Sequence, residues 1–171
     1  MIYILIIFGG FFRLIPHLPN FTPINAIGLF GGRYLDKKTS IISIILIMFM
    51  SDWIIGFYNW KLMLVVYFSL IFSAIIGQHL QNKNNIFKLL CAIFLSSGFF
   101  FFATNLGVWL FTNMYSHNLA GLLNCYIMGL PFYKNMLMGD LVYTFGLFGI
   151  YEIIKQGVRY ERKHRTFGFL R

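Results

Sequence analysis

Residues 89–111 read LLCAIFLSSGFFFFATNLGVWLF, twenty-three positions without one Asp, Glu, Lys or Arg. An α-helix needs ~20 apolar residues to cross the hydrocarbon layer of a bilayer, so this stretch is long enough to span one. Before it lies the polar turn 81–88 (QNKNNIFK), and before that a second apolar block, 62–80, entered through Asn59-Trp60-Lys61. A third block, 41–58, follows the polar stop Asp36-Lys37-Lys38-Thr39-Ser40. Nearer the start, Pro16, Pro19 and Pro23 break the chain between block 2–15 and a short glycine-rich block, 24–35. Proline has no amide to donate and clashes with the preceding turn, so no helix runs through that cluster. After residue 111 the pattern predicts a long, mostly neutral, aromatic loop over 112–134, a last span over 135–154, and a basic tail over 155–171.

The expected fold is therefore all-α: a single polytopic membrane helix bundle over 1–171. Its spans are at about 2–15, 24–35, 41–58, 62–80, 89–111 and 135–154. Block 24–35 is short for a span and is read as oblique or re-entrant. The first block lacks a basic leader and a small-residue cleavage site, so it reads as a retained span. Composition agrees: 58% of residues are hydrophobic, 20% aromatic and only 11% charged, against ~25% charged in soluble domains.

The net charge of +9 does not indicate a nucleic-acid partner, because the cations sit in short segments between apolar blocks rather than on one soluble face. Counted by alternate sides, Arg33, Lys37, Lys38, Lys83, Lys88, Lys155, Arg159, Arg162, Lys163, Arg165 and Arg171 fall on one side, and Arg13, Lys61 and Lys134 on the other. The positive-inside rule puts the first group, and the tail, in the cytoplasm, which predicts an inner-membrane protein with its C-terminus inside. Trp53, Trp60 and Trp109 all fall on the outer side, where an aromatic belt would populate both.

Ionisable groups in spans are costly and ask for a reason. Arg13, Asp52 and Asp140 lie near outer span ends. They read either as a packing pair or as the lining of a polar cavity open to the outside. Asn105 and Trp109, four apart, share a helix face, as do Asp140 and Thr144. The candidate ligand-binding residues are Arg13, His17, Asn20, Asp52, Trp53, Asn105, Trp109, Tyr126, Tyr133 and Asp140. His117 and Cys125 share the outer loop and offer only a weak soft-metal reading, so no metal site is assigned. Cys91 and Cys125 are too few for a disulfide framework. There is no HExxH, GxSxG or paired-aspartate motif and no phosphate-binding loop, so neither an enzyme nor an attached ATPase is expected and no cofactor is implied. Ala26, Gly28 and Gly32 give block 24–35 a small face. Such a face serves close packing within the chain or docking of a second membrane protein.

The run Arg13-Leu14-Ile15-Pro16-His17-Leu18-Pro19-Asn20-Phe21-Thr22-Pro23-Ile24-Asn25-Ala26-Ile27-Gly28-Leu29-Phe30-Gly31-Gly32 resembles the opening of a family of uncharacterised bacterial membrane proteins. Those proteins are themselves similar to the S components of energy-coupling factor (ECF) transporters. Ser51-Asp52-Trp53-Ile54-Ile55-Gly56-Phe57-Tyr58, Thr104-Asn105-Leu106-Gly107-Val108-Trp109, Leu130-Pro131-Phe132-Tyr133 and Gly139-Asp140-Leu141 extend the likeness along the whole chain. The resemblance implies a six-helix, non-catalytic subunit that holds a vitamin or other micronutrient at its outer face. It also implies a transmembrane coupling subunit and ATPases as partners, docked through Ala26, Gly28 and Gly32. Two other readings stand beside it: a structural or assembly protein of another membrane complex, and an intramembrane enzyme using Asp52 or Asp140 as base.

Overall fold

The structure, a computed structural model, describes residues 2–80 and 85–168, with side chains except at 159 and 161–168. Of the basic residues counted above, Lys83 and Arg171, and the side chains of Arg159, Arg162, Lys163 and Arg165, lie outside the described residues. The described residues form six helices: α1 (Ile2–Leu14), α2 (Ile24–Tyr34), α3 (Lys37–Ile55), α4 (Trp60–Gln78), α5 (Ile86–Phe111) and α6 (Leu119–Gly168). Helices α3, α4 and α5, and Leu119–Val158 of α6, are long and apolar enough to cross a membrane. The chain is an all-α membrane helix bundle, as its sequence predicts.

Polar residues that read as loops turn out to start the helices. Asp36 accepts a hydrogen bond from the Thr39 amide (2.9 Å), Asn59 from Lys61 (3.0 Å), Asn85 from Phe87 (2.9 Å), and Asn118 from Gly121 (2.8 Å). Each satisfies an amide that the first turn would leave unpaired, worth about 1 kcal/mol. Helices α3, α4 and α5 consequently begin two to four residues earlier than the hydropathy blocks suggest. Asn59 also ties two helices together, donating its Nδ2 to the Phe111 carbonyl at the end of α5 (2.8 Å). At the far end of α3, Gly56 takes a positive φ of 111°, a conformation that suits glycine.

The short block is the centre of the bundle. Nine of the eleven residues of α2, Ile24 to Gly32, are buried, and α2 touches each of the other five helices. Around it α1, α3, α4, α5 and α6 pack in that order, and Tyr143 of α6 closes the ring edge-on against Phe12 of α1 (5.6 Å). A helix of eleven residues is only ~16 Å long. It suits the membrane here because protein rather than lipid surrounds its ends.

This placement corrects the docking surface expected of Ala26, Gly28 and Gly32. Ala26 is fully buried. A Cβ on Gly28 would overlap the Ser73 hydroxyl, and one on Gly32 would overlap the Ala74 carbonyl and lie 2.9 Å from the Gly77 Cα. The small residues of α2 let its backbone meet that of α4 at Ser73, Ala74 and Gly77, so the small face is used up inside the chain.

The second correction concerns 112–134. Only 112–118 is a connection, and α6 starts at Leu119. Gly121, Gly129 and Pro131 punctuate this segment in the sequence and suggest a loop. Yet Pro131 removes a single helical hydrogen bond, and the segment packs along α5. Cys125 lies against the Asn105 carbonyl (3.3 Å), and Tyr126 donates to the Phe102 carbonyl (3.0 Å). A Cβ on Gly129 would overlap the Asn105 side chain, its Cγ 2.9 Å away. Lys134, assigned to the outer loop by its neighbours, is an exposed residue within α6.

Candidate functional site

The ends of α1, α3 and α5 and the starts of α2, α4 and α6 meet at one end of the bundle, where Trp53, Trp60 and Trp109 also lie. The proline-rich connection between α1 and α2 folds over this end. Phe21 donates its amide to the Leu18 carbonyl (2.9 Å), and Asn20 has a φ of 63°. Proline at the second position and a left-handed Asn at the third are the pattern of a type II turn. The turn places Asn20 where it lines two adjoining chambers.

The first chamber has a volume of about 330 Å³ and is lined by Arg13, Asn25, Asp140 and Asn20 with apolar walls that include Phe100 and Met136. Its mouth carries the exposed residues His17, Ile55 and Tyr58, and its floor the buried Asn25 and Asp140. The second chamber, about 290 Å³, is lined by Asn105, Thr104, Cys125, Tyr115 and Tyr133 among apolar residues. Asn20, Val66, Phe100 and Met136 line both and form the wall between them.

On the floor, Asp140 is 1% exposed. Its Oδ2 accepts from Asn25 Nδ2 (3.0 Å) and lies 2.6 Å from the Ser97 hydroxyl. Ser97 is also 2.8 Å from the Ile93 carbonyl of its own helix. A hydroxyl has one proton, and a charged acceptor draws it more strongly than a carbonyl. Asn25 Oδ1 is buried and finds no partner among the described residues.

On the wall, Arg13 Nη2 forms an ion pair with Asp52 Oδ1 at 2.6 Å. Arg13 Nη1 donates to the Met48 carbonyl (3.2 Å) and to the Ser51 hydroxyl. The Tyr67 hydroxyl donates to Asp52 Oδ2 (2.6 Å). Asp52, 1% exposed, is walled off from the chamber and holds Arg13 at its edge. At the mouth, Tyr58 offers a hydroxyl. His17 lies at the same mouth, with its Nδ1 2.6 Å from the Ile15 carbonyl.

Of the residues singled out from sequence, Arg13, His17, Asn20 and Asp140 share the first chamber, and Asn105 and Tyr133 line the second. Four do not line either. Asp52 sits behind Arg13, and Trp53 is 70% exposed on the outside of the bundle. Trp109 donates its Nε1 to the Ser116 carbonyl (3.0 Å) and meets His117 edge-on (5.6 Å), pinning the α5–α6 connection. Tyr126 meets Phe101 edge-on (5.7 Å) and joins α6 to α5. Aromatic residues at span ends read alike in sequence whether they face lipid, a neighbour or a cavity. Sequence reasoning missed Asn25, Ser97 and Tyr67. The usable signal was an amide inside the apolar block 24–35 and a serine pair, Ser96-Ser97, in the middle of the longest span.

The sequence profile of a family of unknown function, DUF6580, matches residues 1–163. No curated protein and no solved structure matches the chain.

Proposed function

We propose that this chain, which belongs to the DUF6580 family, is the ligand-binding membrane subunit of an uptake transporter similar to the S components of ECF systems, with a vitamin or another micronutrient as cargo. The observation that carries this reading is the two-chambered cavity at the tryptophan-bearing end, floored by buried polar groups and walled by apolar ones. Its chambers fall at or just below the lower end of the ~300–1,000 Å³ range of small-molecule pockets. In this reading the chain binds and releases without covalent chemistry, and a coupling subunit with ATPases supplies the energy. The packing of Ala26, Gly28 and Gly32 inside the bundle puts any docking surface for such a partner elsewhere.

Native mass spectrometry of the gently purified chain should show a retained small molecule. Val66→Trp, which fills the wall common to both chambers, should remove it while the protein stays folded. Co-purification with proteins alone, and no small molecule, would favour the assembly reading.

The same reading sets the chain in the bacterial inner membrane with the tryptophan-bearing end outward and the tail in the cytoplasm. Arg13 is paired inside the bundle, and Lys134 lies within α6. Lys61 is left as the cation at that end from the smaller group, which supports the charge-based orientation. Cys125 is buried and is a poor reporter. In a Cys91→Ser background, Asn113→Cys in the α5–α6 connection should react with a membrane-impermeant maleimide on intact cells. Labelling only after lysis would reverse the orientation.

A further inference from the structure

Among the described residues, no cation bonds the Asp140 carboxyl on the floor of the first chamber. Among the described residues that line it, Arg13 is the one permanent cation, and it is committed to Asp52 at 2.6 Å. Asp140 is a second carboxylate, and the groups that bond it, Asn25 and Ser97, are neutral donors that converge on Oδ2. Arg13 and Asp52 thus neutralise each other, and Asp140 is left with no cation bonded to it among the described residues. Burial makes a carboxyl without a counter-charge expensive to ionise, and a bound cation offsets that cost by stabilising the carboxylate.

A second observation is independent of those charges. Asn25, 1% exposed and lining the chamber, has an Oδ1 with no partner among the described residues. Its orientation is set by its neighbour, because an amide beside a carboxylate must point its NH₂ that way. Asn25 Oδ1 is an acceptor, and Asp140 Oδ1, the oxygen that takes neither of the two bonds, becomes one when a bound cation ionises the carboxyl. A ligand there must bring N–H or O–H donors. The surrounding walls, Met48, Val66, Leu70, Phe100 and Met136, suit a carbon skeleton better than a hydrated inorganic ion.

We infer that the first chamber takes an organic monocation whose N–H groups reach Asp140 and Asn25 and whose apolar body lies against Phe100 and Met136. The inference rests on the ligand-capture reading and names the chemical class of what is captured.

Benzamidinium, benzamide and benzoate share one flat frame and differ in charge, and their binding to the full chain in detergent can be followed by calorimetry. Benzamidinium should bind at least ~10-fold tighter than benzamide, benzoate should not compete with it, and Asp140→Asn should erase the preference. Met136→Lys provides a second variant that keeps Asp140 and its hydrogen bonds. Residue 136 is one helical turn from Asp140, so the new ammonium occupies the place proposed for the ligand's. It should abolish benzamidinium binding and raise the melting temperature, and it reports even where Asp140→Asn fails to fold. Tighter binding of benzoate or benzamide, itself abolished by Val66→Trp, would overturn the inference and leave the cavity a ligand site. Stabilisation by sodium ion alone that depends on Asp140, with no benzamidinium binding, would overturn it in favour of an inorganic ion site. Binding of none of the three probes, with any molecule retained by the purified chain indifferent to Val66→Trp, would overturn both the inference and the capture reading.

Discussion

Gly32→Leu should abolish the folded protein, seen as loss of a monodisperse peak in size-exclusion chromatography of a fluorescent fusion. Any side chain at this position collides with the backbone of α4, since even a Cβ would overlap the Ala74 carbonyl and sit 2.9 Å from the Gly77 Cα. Overpacking against side chains typically costs ~1–3 kcal/mol because rotamers can adjust. Here the obstacle is main chain, so α2 and α4 must separate as bodies, and α2 also touches α1, α3, α5 and α6. The effect should exceed that range. Gly28→Leu meets the Ser73 side chain first and should be milder, with Ser73→Gly restoring part of the loss. A Gly32→Leu protein that folds normally but loses a partner would reinstate the docking role for this face.

Arg13→Leu should be the most damaging single change at the polar site, lowering stability by about 3–5 kcal/mol, as expected when one member of a buried ion pair is removed. The two halves of the pair are not equivalent. Arg13 keeps 17% of its side chain exposed and borders the chamber, whereas Asp52 is 1% exposed. Among the described residues a stranded Asp52 retains only the Tyr67 hydroxyl, while a stranded Arg13 can turn toward water in the mouth. Asp52→Leu should therefore cost less than Arg13→Leu, and the double variant should recover much of the loss. Thermal unfolding of the purified variants gives the coupling directly. Additive losses in the double variant would show that the two groups are not energetically paired.

Charged groups of this site were legible in the sequence because a carboxylate or guanidinium inside an apolar block is conspicuous. Their roles were not. Asp52 and Asp140 look alike from their positions near span ends, but one neutralises a cation across the α1–α3 contact and the other meets only neutral donors from α2 and α5. Which of the two faces the cavity depends on a neighbour 115 residues away in the chain. Asn105 and Asp140 were expected in one cavity, and they line adjoining ones separated by Val66, Phe100 and Met136. The outward aromatics Trp53, Trp109 and Tyr126 misled because aromatic character records affinity for an interface of some kind and not which one.

By itself the sequence determined the class of the fold. Runs of apolar residues too long and too poor in charge for a soluble core must be helices in lipid, since every backbone group there has to be paired within its own segment. Prolines and polar interruptions likewise located most helix ends, and Asp36, Asn59 and Asn85 mark where α3, α4 and α5 begin through local hydrogen bonds. Only the tertiary structure decided that the shortest helix is the central one, that its glycines face α4, and that 119–134 continues a helix through Pro131. Hydropathy measures how much a segment avoids water, and lipid and protein interior satisfy that preference equally. The choice between them belongs to packing, where small residues on α2 and α4 match across two separate segments of the chain.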